Sequence, residues 1–370
     1  MIGPTARRVS SALFAPLPIL AALAITAIVL WFAPGVPADA QRATALAAVV
    51  ICSVLGAILA HDAAHWIAAR ALGFRTVCVT FGPFAFAPTR RGLHVRVVRS
   101  WREFGGGLIV EPRAERRMNA RWALVAAAGP AASLGLGMAV LGVAPVLAVA
   151  SLLRFALAAL PIGVRGIPSD GAQLLLLVAG GAPADRLSAM MRIAAAQRAG
   201  VRPRAWLEIW TSDAIALRDG TMAEALACMA AFRRAVDGCA HDRASALLDR
   251  ALALRAQLPR VAACALLADA AYFEARIHDD ATRARGWLEE AATRRPACPV
   301  AERRASAAVL IASGDFAGGA DAARAALIEL ERIEREERRT LPMEADWLRE
   351  MLARAEYAIV LPAELFALAG

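Results

Sequence analysis

The chain of 370 residues contains no lysine: all 42 basic residues are arginine, and asparagine occurs only at position 119. Against 33 acidic residues this leaves a formal charge of +9. Basic charge of that size invites a nucleic-acid reading. Complete use of arginine in place of lysine looks instead like codon bias in a GC-rich genome, so no nucleic-acid partner is inferred, and the arginines inform by where they stand. Paired cysteine spacings are also missing. Cys52, Cys78, Cys228, Cys239, Cys264 and Cys298 form no C-x-x-C or other metal spacing, which argues against a zinc ribbon and against a disulfide framework. Four of the six fall on apolar faces of expected helices, where cysteine packs as a small hydrophobe.

Charge is absent from long stretches. The mean hydropathy of +0.49 is too high for an ordinary soluble enzyme, and the excess is concentrated in residues 12–180. Residues 181–370 are alanine-rich and dense in Arg, Glu and Asp. The change near Gly180-Gly181 predicts a membrane domain over 1–180 and a soluble domain over 181–370. Hydrophobic spans are expected at about 12–33, 43–70, 122–144 and 146–179, the last broken near 161–168. The first span has two readings. Its length favours a retained helix, while Ala38-Asp39-Ala40 has the form of a signal-peptide cleavage site.

Arginine sets the expected orientation. Arg70, Arg75, Arg90, Arg91, Arg96, Arg99, Arg102, Arg113, Arg116, Arg117 and Arg121 lie between the second and third spans, whereas residues 34–42 hold only Arg42. The positive-inside rule places 70–121 and the C-terminal domain in the cytoplasm, with a bacterial inner membrane as the expected location. Within 74–110, Thr76–Phe81 and Leu93–Val98 are β-branched runs separated by a proline-containing loop. They predict a cytoplasmic β-hairpin or small sheet on the membrane surface.

The second span runs without a breaker into His61-Asp62-Ala63-Ala64-His65. Histidines four apart share a helix face and can reach one ion. An ionisable cluster inside a membrane is costly and so is a functional hypothesis. The bland alternative is a helix end whose polar residues face headgroup water. The candidate third ligand is Asp170, a carboxylate just past the Pro161–Pro168 break and on the same side of the membrane. Irregular backbone at membrane depth suits a ligand-bearing loop that lines a cavity. Gly129-Pro130 interrupts the third span, with helix packing and a catalytic role both open. His94, His241 and His278 carry no metal spacing.

These residues together resemble the site-2 protease family of intramembrane zinc metalloproteases. The resemblance covers about residues 55–180. It rests on the His61–His65 motif, Ala71-Leu72-Gly73 leading to Phe81-Gly82-Pro83-Phe84, Ala128-Gly129-Pro130, Leu160-Pro161, and Ser169-Asp170-Gly171. It implies Zn2+ bound by His61, His65 and Asp170, with Asp62 as general base. Three positions depart from the family pattern. Asp62 stands where the family has Glu, one methylene longer, and Ser133 and Ala158 stand where it tends to have Asn. Catalytic geometry is sensitive at about 1 Å, so these departures bear on rate and substrate clamping rather than on metal binding.

From residue 183 onward amphipathic helices alternate with turns: Arg260–Ile277, Asp280–Arg295, Ala301–Ala312 and Phe316–Arg335. Similar segments beginning at Asp280 and Asp315 are offset by close to the ~34-residue tetratricopeptide period. A helical array resembling tetratricopeptide repeats and a plain helical bundle both fit. Such a module offers a groove for a cytoplasmic peptide or protein partner.

The fold expected is mostly α: a polytopic membrane helical core with a small β-hairpin or sheet, plus a soluble helical-repeat domain. The implied function is zinc-dependent proteolysis of the transmembrane segments of membrane-anchored proteins, with the helical domain gating or recruiting substrate. The alternative is a catalytically weak or inactive pseudoprotease acting as an adaptor for membrane proteins.

Overall fold

A computed structural model describes residues 40–81, 84–89, 92–97, 107–112, 117–164, 167–293, 299–337 and 341–360. The expected first span, 12–33, lies outside the described residues. The protein is mostly helical and divides into two compact units, Met1–Ala184 and Asp185–Gly370.

The first unit begins with α1, Ala40–Ala71, which combines the second apolar run and the histidine motif in one helix. It ends where Gly73 takes φ +78°, a left-handed turn that glycine adopts without steric cost. The chain then enters β1 (Phe74–Phe81), β2 (Phe84–Thr89), β3 (Gly92–Val97) and β4 (Gly107–Pro112). These form one antiparallel sheet in the order β3-β2-β1-β4. Of the expected hairpin or small sheet, the small sheet is what forms. The two β-branched runs are not neighbours, because β2 lies between them and occupies the segment read as a loop. Pro88 masked a period-two alternation of Phe84 and Phe86 with small alanines, and proline is tolerated near a strand end.

Next come α2 (Met118–Ala139) and α3 (Pro145–Ala159), then a two-residue hairpin of β5 (Gly163–Val164) with β6 (Ile167–Pro168), then α4 (Asp170–Ala179). Within the first unit, α1 and α2 are each long and apolar enough to cross a membrane, and α3 is a shorter apolar helix. The expected fourth span is thus two short helices around a small hairpin. Polarity in this unit is inverted relative to a soluble protein. Leu59, Ile67, Leu124 and Met138 are more than half exposed, while His61, Asp62, Ser133 and Ser151 are buried. Apolar outside and polar inside is the arrangement that a lipid solvent selects.

Arg121 ties the start of α2 to the end of α1 by donating its Nε–H to the Leu72 carbonyl at 2.8 Å, one of the carbonyls a helix end leaves open. The same guanidinium sits over the buried Phe74 ring, which meets Trp122 edge-on at 5.5 Å.

The second unit comprises most of α5 (Ala182–Arg198), then α6 (Glu208–Ala216), α7 (Met222–Asp237), α8 (His241–Ala253), α9 (Arg260–Ile277), α10 (Ala281–Ala292), α11 (Pro299–Ala312), α12 (Phe316–Glu337) and α13 (Pro342–Val360). The core is built largely of alanine, whose small side chain lets helix backbones approach closely. Consecutive helices pack as pairs: α7 with α8, α9 with α10, α11 with α12. The first members start at Met222, Arg260 and Pro299, a step somewhat longer than the ~34 residues of a tetratricopeptide repeat.

Two polar devices brace this core. Thr221 caps α7, its Oγ accepting from the Glu224 amide, and the Glu224 carboxylate reaches back past the cap to accept from the Asp219 and Gly220 amides at 2.7 Å each. Arg304 is fully buried on α11 and is bonded by Asp269 of α9 and Glu344 of α13. His241 opens α8, His278 hydrogen-bonds Glu274 at the end of α9, and His94 is exposed on β3.

Candidate metal centre

One turn of α1 separates His61 from His65, so both rings leave the same helix face. The start of α4 brings Asp170 to them. His61 Nε2 lies 3.0 Å from Asp170 Oδ2, His65 Nε2 lies 3.3 Å from the same oxygen, and the two Nε2 atoms are 3.1 Å apart. Among the described residues these three form a group able to hold a metal ion.

The outer nitrogens fix the rings. His65 Nδ1 is 2.7 Å from the Val125 carbonyl, which can only accept, so Nδ1 carries the proton and Nε2 of the neutral ring presents a lone pair. His61 Nδ1 is 2.9 Å from Ser133 Oγ, which leaves its Nε2 facing Asp170. Two imidazole nitrogens and a carboxylate oxygen therefore converge on one point, which a cation stabilises. Zinc suits this donor set: tetrahedral bonds of ~2.0–2.1 Å separate ligand atoms by ~3.3 Å. Orientation of each ligating imidazole by a further hydrogen bond is also characteristic of such sites.

Local sequence explains how the three residues meet. Gly129 on α2 is required by His65, since a Cβ there would lie 2.1 Å from its Nε2. Asp170 is held by the irregular segment before it. Ser169 caps α4 by accepting from the Ala172 amide at 3.1 Å, and its hydroxyl donates to the Leu160 carbonyl at 2.5 Å. Gly171 packs against the end of α3, where a Cβ would meet the Ala159 carbonyl oxygen at 2.0 Å. Gln173 donates to the Pro168 carbonyl and accepts from Trp122 of α2 at 3.1 Å.

Asp62 is 7% exposed. Its Oδ1 lies 3.6 Å from Arg154 Nη2 of α3, and its Oδ2 is buried without a hydrogen-bond partner. A water on a metal bound at this centre is a donor of the kind that oxygen lacks. Burial of a carboxylate with an open acceptor is otherwise expensive.

The structure brings His61, His65 and Asp170 together, while Asp62, next to His61 in the chain, is buried and faces Arg154. Of the two positions that depart from the family's asparagines, Ser133 bonds His61, and Ala158 is a buried apolar residue near the end of α3. Three contributors, Arg154, Gln173 and Trp122, were not anticipated. Arg154 had a readable signal, as the lone charge in the apolar run 122–164. Gln173 and Trp122 had none, because their pairing depends on how α2 and α4 meet.

No curated protein and no solved structure matches the chain. Residues 49–217, which contain the whole candidate centre, match the family model described as Peptidase family M50, the family of the site-2 proteases.

Proposed function

We propose that this chain is a zinc-dependent intramembrane endopeptidase that cuts transmembrane segments of membrane-anchored proteins. The observation that carries the reading is the convergence of His61, His65 and Asp170 within apolar helices, with Asp62 beside them. The family match over 49–217 supports it independently.

Zinc held by His61, His65 and Asp170 would supply Lewis acidity and lower the pKa of a water there to about 7. The chain's own residues supply the rest. His61 and His65 present their Nε2 atoms because Ser133 and Val125 hold the Nδ1 atoms. Asp62 offers Oδ2 as the proton acceptor and later as the donor to the leaving amine. The lipid-facing leucines and isoleucines of α1 and α2 keep bulk water from the site. The arginine-rich segment 70–121 supports a centre near the cytoplasmic face. The helical unit, a repeat-like array in this reading, recruits the cytoplasmic part of the substrate or gates its entry.

The test uses the full chain in detergent. Wild type, Asp62→Glu and His61→Ala are compared for zinc per chain and for cleavage of a transmembrane peptide. Wild type is expected to hold one zinc and cut, and His61→Ala to do neither. Bound zinc with no cleavage, even in Asp62→Glu, would sink the protease reading in favour of an adaptor that binds membrane proteins without cutting them.

A further inference from the structure

Arg154 sits in the middle of an apolar helix and reaches a residue that the reaction needs. Across 122–164 no other residue is charged. Its side chain is about one-third exposed, and its Nε is buried with no hydrogen-bond partner. The carboxylate it faces, Asp62, has its Oδ1 turned to the arginine and its Oδ2 unpartnered. An arginine at such a position is costly unless it has a task, and its partner names the task. Small residues hold the two helices together: Ala57 of α1 and Ala150 of α3 share one packed cluster with Val50.

We infer that Arg154 is the positioning residue for Asp62, holding one carboxylate oxygen so that the other stays free for the reacting water. This rests on the protease reading and deepens it. Where a glutamate reaches further on its own stem, the shorter aspartate is held from one side by a cation on the neighbouring helix.

The experiment is a double-variant cycle on the zinc-loaded full chain: Arg154→Gln, Arg154→Lys, Asp62→Asn and Asp62→Asn/Arg154→Gln. Zinc per chain, kcat, KM and thermal midpoint are measured for each. Arg154→Gln is expected to keep its zinc and lose about 100-fold in kcat, the scale of a 1 Å misplacement, with KM little changed. Arg154→Lys should recover part of that loss, and Arg154→Gln should cost nothing further once Asp62 is Asn. Losses that multiply in the double variant, or zinc lost from Arg154→Gln alone, would overturn the proposal. Should zinc-loaded wild type and Asp62→Glu both fail to cut, the protease reading falls and the melting cycle decides the pairing. A double variant melting no lower than the weaker single supports a coupled pair, and additive shifts overturn it.

Discussion

In the helical unit, Arg304 has no exposed surface, yet Asp269 and Glu344 bond its guanidinium and the rings of Tyr272 and Trp347 lie 4.8 and 5.2 Å from its Cζ. Burial works against that charge, and the two carboxylates outweigh it, so its pKa is raised. Asp269 also takes Arg233 at 3.0 Å, and burial pushes the Tyr272 hydroxyl up to about 12. In the membrane unit, Asp62 is nearly as buried, but its arginine contact is 3.6 Å and one oxygen is left open. The first network is close to saturated, with only Arg304 Nε unpaired. Closed networks of this kind pin helices to one another, whereas an open acceptor kept beside three convergent ligands is poised for chemistry.

The largest effect that tests this contrast is removal of a ligand. His65→Ala is expected to weaken zinc binding by more than the ~10–100-fold that loss of an outer hydrogen-bond partner costs, while helix content by circular dichroism stays unchanged. Full zinc retention after gel filtration would remove the metal centre from the comparison. On the other side, Arg304→Leu takes the arginine from Glu344 and leaves Asp269 with Arg233 alone, and should lower stability by about 3 kcal/mol, read by thermal unfolding in detergent, with zinc stoichiometry untouched. A variant that melts like wild type would show that the closed network braces nothing.

Gly129→Ala comes next. The added Cβ collides with His65, so zinc affinity should fall, whereas Gly135→Ala on the same helix meets nothing within 4 Å and serves as its control. Equal zinc binding by the two variants would mean that the His65 ring has other room.

Much of this is legible in the sequence. The ends of α9 were read at Arg260 and Ile277 because amphipathic period, a preceding proline and a following turn all agree there. The histidine spacing and the Ser-Asp-Gly segment pointed to the residues that the fold brings within 3.3 Å. What was not legible depends on contacts distant in sequence. The order of the sheet put β2 between two runs that look like natural partners, and alanines at 85 and 87 hid its alternation. Arg154 meets Asp62 across 92 positions of chain, a pairing set by how α1 and α3 pack. Gly129 read equally well as a packing residue, and only the position of the His65 ring tells the difference.

Ser133→Ala probes the outer layer of the centre. His61 loses the partner of its Nδ1, which should cost about 10–100-fold in zinc affinity, measured by competition with a chelator. An unchanged affinity would mean that the His61 ring is held by packing alone, making the centre more like the closed network than the contrast requires.

The smallest expected effect belongs to Glu224 at the start of α7 and reads out in pH. Burial alone raises the Glu224 pKa, but the Gly220 amide, the Arg250 guanidinium and the Asp219 amide together hold it below its ordinary value of 4.5. A carboxyl depressed in the folded state contributes stability that is fully present above the unfolded pKa and is lost as pH falls through the folded one. The melting temperature of the helical unit within the full chain should therefore be insensitive to Glu224 between pH 7 and about 5 and decline below that ordinary value. Glu224→Gln keeps the shape and removes the charge that Arg250 meets at 2.7 Å. It should cost about 1–3 kcal/mol at neutral pH and flatten part of the acid limb, Asp219 with its own depressed pKa supplying part of the remainder. A Glu224→Gln protein whose acid limb matches wild type would place the pH sensitivity elsewhere, and the bonds around Glu224 would then hold the helix start by geometry rather than by charge.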